Sequence, residues 1–421
     1  MKKSQLSKKS NCIPFVFFKP LAGILFIFLL FVVCKSELTA ISSTAEEWVG
    51  TWRTAPQLVE ERNNPPEPGL SHNTLRQVVR VSLGGDSLRI HFSNEFSTSP
   101  VTMKAVHIAV SGDSSAIVPG TEQALKFDGQ SEITIKPGTA VTSDPFKFVL
   151  EPRTNLTITI YFGDTSPDVT GHPGSRTTSY LLTGNMVSKV DFSGAVQTDH
   201  WYIISGIDVI ADESAAAVVV LGNSITDGRG SGTNKQNRWP DELARRLQEN
   251  PDTRQVAVLN QGIGGNCVLR ECLGPSALNR FERDVIGATK VHWLIILEGI
   301  NDIGQTQDSL AAVKAADDLI SAFEQMIDNA HASGIKVYGA TLLPFAGSFY
   351  DAPYRQAARD TVNGWIRSSG RFDAVIDLDA ALRDPDNPLH LLPAADTGDH
   401  LHPNETGHRM MAEAVDLTIF K

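Results

Sequence analysis

The sequence is poor in cysteine and in positive charge. It holds four cysteines in 421 residues, and its formal charge at pH 7 is -11. An acidic surface repels nucleic acid and anionic membranes, which disfavours a polyanionic partner and favours a neutral or uncharged substrate. The apolar and charged fractions, 41% and 20%, are those of a globular protein rather than a disordered one. The length predicts two domains rather than one compact core.

Long apolar runs are scarce as well, and the one at residues 21–34 follows five lysines. Small polar residues come after it, and Ser43-Thr44-Ala45 offers a cleavage site, so residues 1–45 are predicted to be a signal peptide. The run is shorter than the ~20 residues of a membrane-spanning helix, which favours cleavage over an uncleaved membrane anchor. Lipidation of Cys34 is a minor alternative. The mature chain, with a formal charge of -16 after six lysines and one glutamate leave, would be secreted or periplasmic without stable membrane insertion.

Two cysteines remain after the predicted cleavage, Cys267 and Cys272, five positions apart. In an oxidising compartment such a pair is typical of a local disulfide that pins a loop. The alternatives are a metal site and a redox pair. No further cysteine or nearby histidine completes a metal-binding set, and the spacing is not the Cys-x-x-Cys of redox pairs, so the disulfide is favoured. No metal and no cofactor is predicted.

Residues 46–210 carry short runs that alternate apolar and polar residues and are separated by turns rich in glycine and proline. Alternation with a period of two predicts antiparallel strands, hence a β-sandwich or jelly-roll-like accessory domain. In this region Trp48 and Trp52 are interpreted as aromatic core, with sugar stacking as the rival.

Residues 211–421 have a different pattern, which starts with the continuous apolar run 215–221. A strand without alternation is typical of a parallel sheet that is buried on both faces. Strands and amphipathic helices then alternate, which predicts a three-layer α/β/α, flavodoxin-like domain, joined to the first near residues 210–214. The strands are predicted at 256–259, 291–297, 336–343 and 374–378, and the helices at 239–247, 278–285, 310–332, 354–367 and 405–417.

Four polar blocks lie where this pattern places strand ends or the last loop. Leu221-Gly-Asn-Ser-Ile-Thr-Asp-Gly228 follows the first strand, and a serine in such a turn is by itself a weak catalytic signal. Asn260-Gln-Gly-Ile-Gly-Gly-Asn266 and Leu297-Glu-Gly-Ile-Asn-Asp302 follow the next two strands. Asp399-His-Leu-His402 lies before the last helix, where an acid three residues from a histidine can orient it as a general base for a serine.

In this order the four blocks resemble those of the SGNH, or GDSL, hydrolases, and the resemblance covers about residue 215 to the end of the chain. It implies that Ser224 is the nucleophile, His402 the base and Asp399 its orienter. The implied oxyanion donors are the backbone N–H groups of Ser224 and Gly265 and the side-chain amide of Asn301.

Two residues depart from the family pattern, Asn223 in place of the common aspartate and Ile225 in place of leucine. Gly262 and Gly264 lie in the same block as Gly265, and only alignment with the family pattern selects Gly265. The second histidine of the last block, His400, is interpreted as a surface or supporting residue. Asp227 is interpreted as a local turn acceptor.

These features predict a secreted serine ester hydrolase that forms an acyl-enzyme, acting on a short-chain ester or on the acetyl ester of a glycan. A lipase or arylesterase acting on small or lipid esters is the alternative. An acyltransferase using the same triad and a non-catalytic glycan-binding protein are further rivals.

Overall fold

The computed structural model describes residues 11–14, 32–35 and 47–421. The predicted signal peptide therefore lies outside the described residues, apart from two strands that pair antiparallel, β1 (Asn11–Pro14) and β2 (Val32–Lys35). Among the described residues, no helix combines the length and the apolar character that a membrane crossing requires.

Residues 46–421 form one compact unit whose first half is built from antiparallel strands. The strands are β3 (Glu47–Arg53), β4 (Gln57–Leu58), β5 (Asn73–Arg80), β6 (Gly85–Asn94), β7 (Val101–Val110), β8 (Gln123–Ala124), β9 (Ile133–Ile135), β10 (Thr139–Thr142), β11 (Phe146–Leu150), β12 (Asn155–Phe162), β13 (Thr170–His172), β14 (Ser179–Thr183), β15 (Val196–Thr198), β16 (Trp201–Tyr202) and β17 (Ile204–Ala211).

These strands form two large sheets and a small one. The larger sheet has the order β15-β14-β5-β12-β7-β8 with β9 on β7, and the second has the order β10-β6-β17-β3 with β11 on β6. The third is β16-β13-β4. Alternate residues of β6 (Leu88, Ile90, Phe92) and of β12 (Leu156, Ile158, Ile160) enter one hydrophobic core, as expected when each strand presents one face inward. The predicted antiparallel β-rich fold is confirmed.

The second half contains one parallel sheet of the order β19-β18-β20-β21-β22. Its strands are β18 (Ala216–Gly222), β19 (Val256–Gly262), β20 (Val291–Leu297), β21 (Lys336–Ala340) and β22 (Ala374–Ile376). The helices are α1 (Ser224–Asp227), α2 (Trp239–Glu249), α3 (Ala277–Phe281, continued by a π-helical turn Glu282–Ile286), α4 (Ile300–Gly304), α5 (Ser309–Ala332), α6 (Pro353–Ser368), α7 (Leu378–Leu382) and α8 (Glu405–Glu413). Three short 3-10 turns lie at Glu61–Asn63, Pro393–Ala395 and Leu417–Phe420.

The central strand β18 is buried on both faces, and its alternate residues enter different cores. Val219 and Leu221 join a core that includes α5 and α6, whereas Val218 and Val220 join one that includes α2 and α8. Helices therefore cover both faces of the sheet, which confirms the predicted three-layer α/β/α fold. The first of these cores is continuous with that of the β-rich half, so the two halves share buried apolar surface. The domain boundary at residues 210/211 stays a prediction.

A buried ion-pair cluster also ties the two halves together. The carboxylate of Asp208, on β17, accepts hydrogen bonds from Arg53 at 2.7 Å, from Arg89 at 2.8 Å and from Thr289 at 2.8 Å, and contacts His91 at 2.9 Å. Thr289 lies just before β20 of the parallel sheet. Burial alone would raise the pKa of the Asp208 carboxyl, but the hydrogen bond with His91 and the charge of Arg53 hold it well below its ordinary value.

Removing this fully buried carboxylate would leave two partly buried arginines, Arg53 and Arg89, without their partner. We therefore expect Asp208→Ala to lower the free energy of unfolding, measured in urea, by about 3–5 kcal/mol. The matched control is Asp164→Ala, whose side chain is 91% exposed and whose loss should change stability by no more than about 0.5 kcal/mol. Equal losses in the two variants would contradict a tie at Asp208.

Candidate active site

The carboxyl ends of three adjacent parallel strands, β18, β19 and β20, meet at one edge of the sheet. Ser224 begins α1 directly after β18, Gly265 follows β19, and Asn301 lies in α4 after β20. Ligands of open α/β sheets bind at this edge, so the fold brings three of the predicted site residues to the expected place.

Ser224 is held at the start of a single helical turn. The Oδ1 atom of Asn223 accepts from the backbone N–H of Ile225 at 3.1 Å and so caps the turn. A Cβ on Gly222 would lie 2.1 Å from the Oγ1 atom of Thr226, so the close approach of strand and turn requires glycine there. Ser224 itself is 9% exposed.

A chain of two hydrogen bonds links Ser224 to the last loop. The Oγ atom of Ser224 lies 2.9 Å from Nε2 of His402, and Nδ1 of His402 lies 2.7 Å from Oδ2 of Asp399. The other carboxylate oxygen of Asp399 accepts from the backbone N–H groups of Leu401 and His402 at 3.0 and 2.9 Å. The three predicted residues are thus brought together in the order that nucleophilic catalysis by serine requires.

The surroundings of this chain favour a neutral imidazole and an ionised carboxylate. Burial lowers the pKa of His402 and outweighs the opposing effect of Asp399, and the charges of Arg229 and Arg176 lower it further. Burial would raise the pKa of Asp399, but hydrogen bonds from the ring and backbone of His402 hold it well below its ordinary value. A neutral histidine can accept a proton from the serine hydroxyl.

The other histidines near the site have different partners. Nδ1 of His400 lies 2.6 Å from the carboxylate of Asp396, and the ring is half exposed. His408, on α8, is buried between the backbone N–H of Trp239 and the backbone carbonyl of Arg229. Neither contacts Ser224.

The three predicted oxyanion donors line one cleft, and two of them are backbone N–H groups without a partner in the part of the chain that the structure describes. Within residues 47–421 the backbone N–H groups of Ser224 and Gly265 donate to no protein acceptor. Gly265 has a φ of +72°, a left-handed conformation that favours glycine. The Nδ2 atom of Asn301 donates to the carbonyl of Asn266 at 2.7 Å, and its Oδ1 atom accepts from the hydroxyl of Tyr350 at 3.0 Å.

The loop after Gly265 is fastened on several sides. The predicted disulfide between Cys267 and Cys272 is present. The carboxylate of Asp302 accepts from the backbone N–H groups of Val268 and Leu269 at 2.9 and 3.1 Å. The polar block at residues 297–302 therefore supplies both Asn301 and the Asp302 carboxylate, which holds the loop after Gly265.

Ser224, His402 and Asp399 line a cleft of about 570 Å³, and residues of the β-rich half form one wall of it. Sequence reasoning missed this wall, because nothing in its local pattern distinguishes it from other turns. Its members are Gln57, Glu60, Arg62, Asn63, Pro173, Gly174, Arg176 and His200.

The role predicted for Asp227 is incomplete. Its Oδ1 atom contacts Nε2 of the buried His172, on β13, at 2.9 Å, so it joins the nucleophile turn to the β-rich half rather than serving only its own turn. Trp52 packs edge-on against Trp201 with ring centroids 5.1 Å apart, as aromatic core.

A family model described as GDSL-like Lipase/Acylhydrolase family matches residues 220–410. This part of the chain belongs to that family. The GDSL-like part is accordingly an acylhydrolase, a carboxylic ester hydrolase by class, and the resemblance drawn from the four blocks is confirmed. Among curated proteins none matches the chain.

Solved structures similar to the GDSL-like part include two bacterial proteins. One is an acetyl xylan esterase from Geobacillus stearothermophilus, 22% identical, which covers 48% of this chain and 94% of its own with a TM-score of 0.37. The other is a GDSL-like lipase from Bacteroides thetaiotaomicron, 21% identical, which covers 48% of this chain and 87% of its own with a TM-score of 0.33. At these TM-scores the likeness assigns neither activity nor substrate to this chain.

A buried acid lies behind the nucleophile turn and contacts Asn223, one of the two residues that depart from the family pattern. The Nδ2 atom of Asn223 donates to Oε2 of the fully buried Glu298 at 3.3 Å, and Arg280 approaches the other oxygen at 3.5 Å. Burial raises the pKa of Glu298 to about 8, against the opposing effects of Arg280 and Asn223. An aspartate at position 223 would place a second carboxyl beside this one.

The raised pKa makes folding stability depend on pH. The folded state keeps the Glu298 proton at pH values where the unfolded carboxyl, with a pKa of about 4.3, has lost it, so stability falls as pH rises from there to about 8. Glu298→Gln removes this dependence. We expect the melting temperature of the variant, relative to wild type, to increase between about pH 5 and about pH 8.

The control for this experiment is Glu213→Gln, which changes an exposed carboxyl. A difference between Glu298→Gln and wild type that does not vary with pH would contradict a protonated Glu298.

Proposed function

We propose that this chain is a secreted serine ester hydrolase that cleaves a carboxylic ester through an acyl-enzyme on Ser224. The observation that carries the proposal is the hydrogen-bonded chain from Ser224 through His402 to Asp399. The predicted signal peptide and the disulfide between Cys267 and Cys272 support secretion, since disulfides persist in oxidising compartments.

In the proposed reaction His402 takes the proton of Ser224 as the Oγ atom attacks the ester carbonyl carbon. The negative charge on the carbonyl oxygen is received by the backbone N–H groups of Ser224 and Gly265 and by the amide of Asn301. The bond to the alcohol oxygen then breaks, and His402 gives its proton to the leaving alcohol. Water, activated by the same histidine, releases the acid from Ser224.

A short-chain acyl ester of a carbohydrate is the proposed substrate. In the wall from the β-rich half, the amides of Gln57 and Asn63 donate to the carboxylate of Glu60, and these three side chains keep further donor and acceptor positions for substrate hydroxyl groups. Phe349, at the same cleft, is 71% exposed, and an exposed aromatic ring can pack against the apolar face of a sugar. An acyl chain of lipid length would need a long apolar groove, and the lining of this cleft is mixed polar and apolar.

Replacing the nucleophile tests the proposal directly. We expect Ser224→Ala to lower kcat/KM for p-nitrophenyl acetate by about 10⁴–10⁶-fold, because the histidine then has no hydroxyl to activate. Ser214→Ala, at an exposed position before β18, is the matched control and should hydrolyse the ester like wild type. Equal rates for Ser224→Ala and wild type would leave a non-catalytic, glycan-binding role as the better reading. Adding a sugar acceptor and analysing the products separates hydrolysis from acyl transfer.

The hydroxyl of Tyr350 orients the amide of Asn301. It donates a hydrogen bond to Oδ1, which holds the oxygen on the side of Tyr350 and leaves Nδ2 on the opposite side of the amide. We expect Tyr350→Phe to lower kcat by about tenfold with little change in KM, since the donor it orients acts on the transition state. Tyr354→Phe, in the first turn of α6, is the control. An increase in KM with kcat unchanged would contradict the positioning role.

A further inference from the structure

We propose that the cleft binds an anionic group on the alcohol portion of the ester, and that Arg176 and Arg229 hold it. This inference rests on the proposed function of Ser224 and adds a substrate class to it: the acyl ester of an alcohol that carries a carboxylate, of which an acylated acidic sugar is an example.

Arg229 stands beside the nucleophile on a fixed backbone. Its N–H donates to the carbonyl of Ser224 at 2.8 Å, and its carbonyl contacts Nε2 of His408 at 3.1 Å. Its side chain is exposed at the cleft and donates to no acceptor within residues 47–421. A guanidinium without a protein acceptor is available to donate charge-assisted hydrogen bonds to an anion in the cleft.

Arg176 enters the cleft from the β-rich half. Its Nε atom is buried and has no hydrogen-bond partner among the described residues. Its Nη2 atom forms an ion pair with Oδ2 of Asp227 at 3.8 Å, which is too long for a hydrogen bond, and the other oxygen of that carboxylate contacts His172. The side chain as a whole is 31% exposed and lines the cleft, so its guanidinium can donate to an anion bound there.

The acids of the same cleft are engaged by other groups. Glu60 accepts from the side-chain amides of Gln57 and Asn63, and Asp399 is bound to His402. The third acid of the cleft, Asp227, contacts His172 through Oδ1, while its Oδ2 is buried without a hydrogen bond and lies 3.8 Å from Arg176. Among the described residues Arg229 therefore has no acidic partner, and Arg176 has only this long contact. This local arrangement differs from the charge of -11 on the whole chain, from which an uncharged substrate is predicted.

We assign the arginines to the side of the site that serves the alcohol. Both line the cleft with His402, the group that returns the proton to the leaving alcohol oxygen, and Arg229 lies on the turn of Ser224, where its N–H donates to the Ser224 carbonyl. Their charges also lower the pKa of His402. The oxyanion side has different neighbours, since Tyr350 contacts Asn301 and Leu273 packs beside Gly265. A carboxylate bound to the arginines would offset their charge and so favour the imidazolium that forms during the reaction.

Matched esters test the proposal in the full chain. The first pair is meta-carboxyphenyl acetate and its neutral counterpart meta-carbamoylphenyl acetate, with phenol release followed by absorbance. We expect Arg176→Gln and Arg229→Gln each to lower the ratio of kcat/KM for the charged over the neutral ester by about tenfold. Arg229→Lys, which keeps the charge but not the fork of donors, should lose less of the ratio. Added salt should lower the ratio in wild type.

The controls separate this inference from the proposed function. Arg254→Gln, at an exposed position elsewhere, should leave the ratio at the wild-type value, and the melting temperature of each variant reports folding. If both esters are hydrolysed and neither arginine substitution alters the ratio of kcat/KM for the charged over the neutral ester, the anionic subsite is wrong. The proposed esterase function would then still stand. Phenyl hydrogen adipate and its methyl ester form a second pair, in which the carboxylate lies on the acyl portion. If the arginine variants lose selectivity only for this pair, the assignment of the anion to the alcohol portion is wrong. Activity that survives Ser224→Ala would instead overturn the proposed function itself.

Discussion

The hydrogen bond between Ser224 and His402 joins residues 178 positions apart, and much of the surrounding structure serves to hold its two ends. On one side Asn223 caps the turn that carries the serine, and Glu298 holds the amide of Asn223 from behind. On the other side Asp399 receives the imidazole and two backbone N–H groups of its own loop. A serine and a histidine held in this way need little reorganisation before a proton moves between them, which is the advantage that a preorganised site offers.

The β-rich half is part of this arrangement rather than a separate attachment. It shares a core with the parallel sheet, and the Asp208 cluster binds Thr289 at the start of β20. Its His172 contacts Asp227 in the nucleophile turn. It also supplies one wall of the cleft, including Arg176. The residues that line the cleft therefore come from both halves, while the groups proposed for bond cleavage come from the α/β half alone.

The sequence predicts the elements whose pattern is local and leaves out those that depend on distant contacts. The strand predicted at 291–297 matches Val291–Leu297, and the helix predicted at 310–332 matches Ser309–Ala332, because long apolar periodicity marks them clearly. The strand predicted at 336–343 ends at Ala340, since residues 341–343 leave the sheet although Leu342 and Leu343 are apolar. The last helix ends at Glu413 rather than 417, where a turn intervenes before a 3-10 segment.

The four polar blocks, three at strand ends and one in the last loop, predict Ser224, His402 and Asp399, which the structure brings together. Tyr350 and Arg176 could not be found this way, because their roles arise from contacts across 49 residues in one case and from a different sheet in the other.

The central claim is that an acyl group passes through Ser224, and trapping it there is the most direct measurement. Wild-type protein would be mixed with p-nitrophenyl acetate, quenched in acid during turnover, digested and mapped by mass spectrometry. The account predicts acetyl on the peptide that contains Ser224, at the serine itself, and its disappearance as substrate is consumed. Acetyl carried by another residue at the rate of turnover, with Ser224 unmodified, would contradict it.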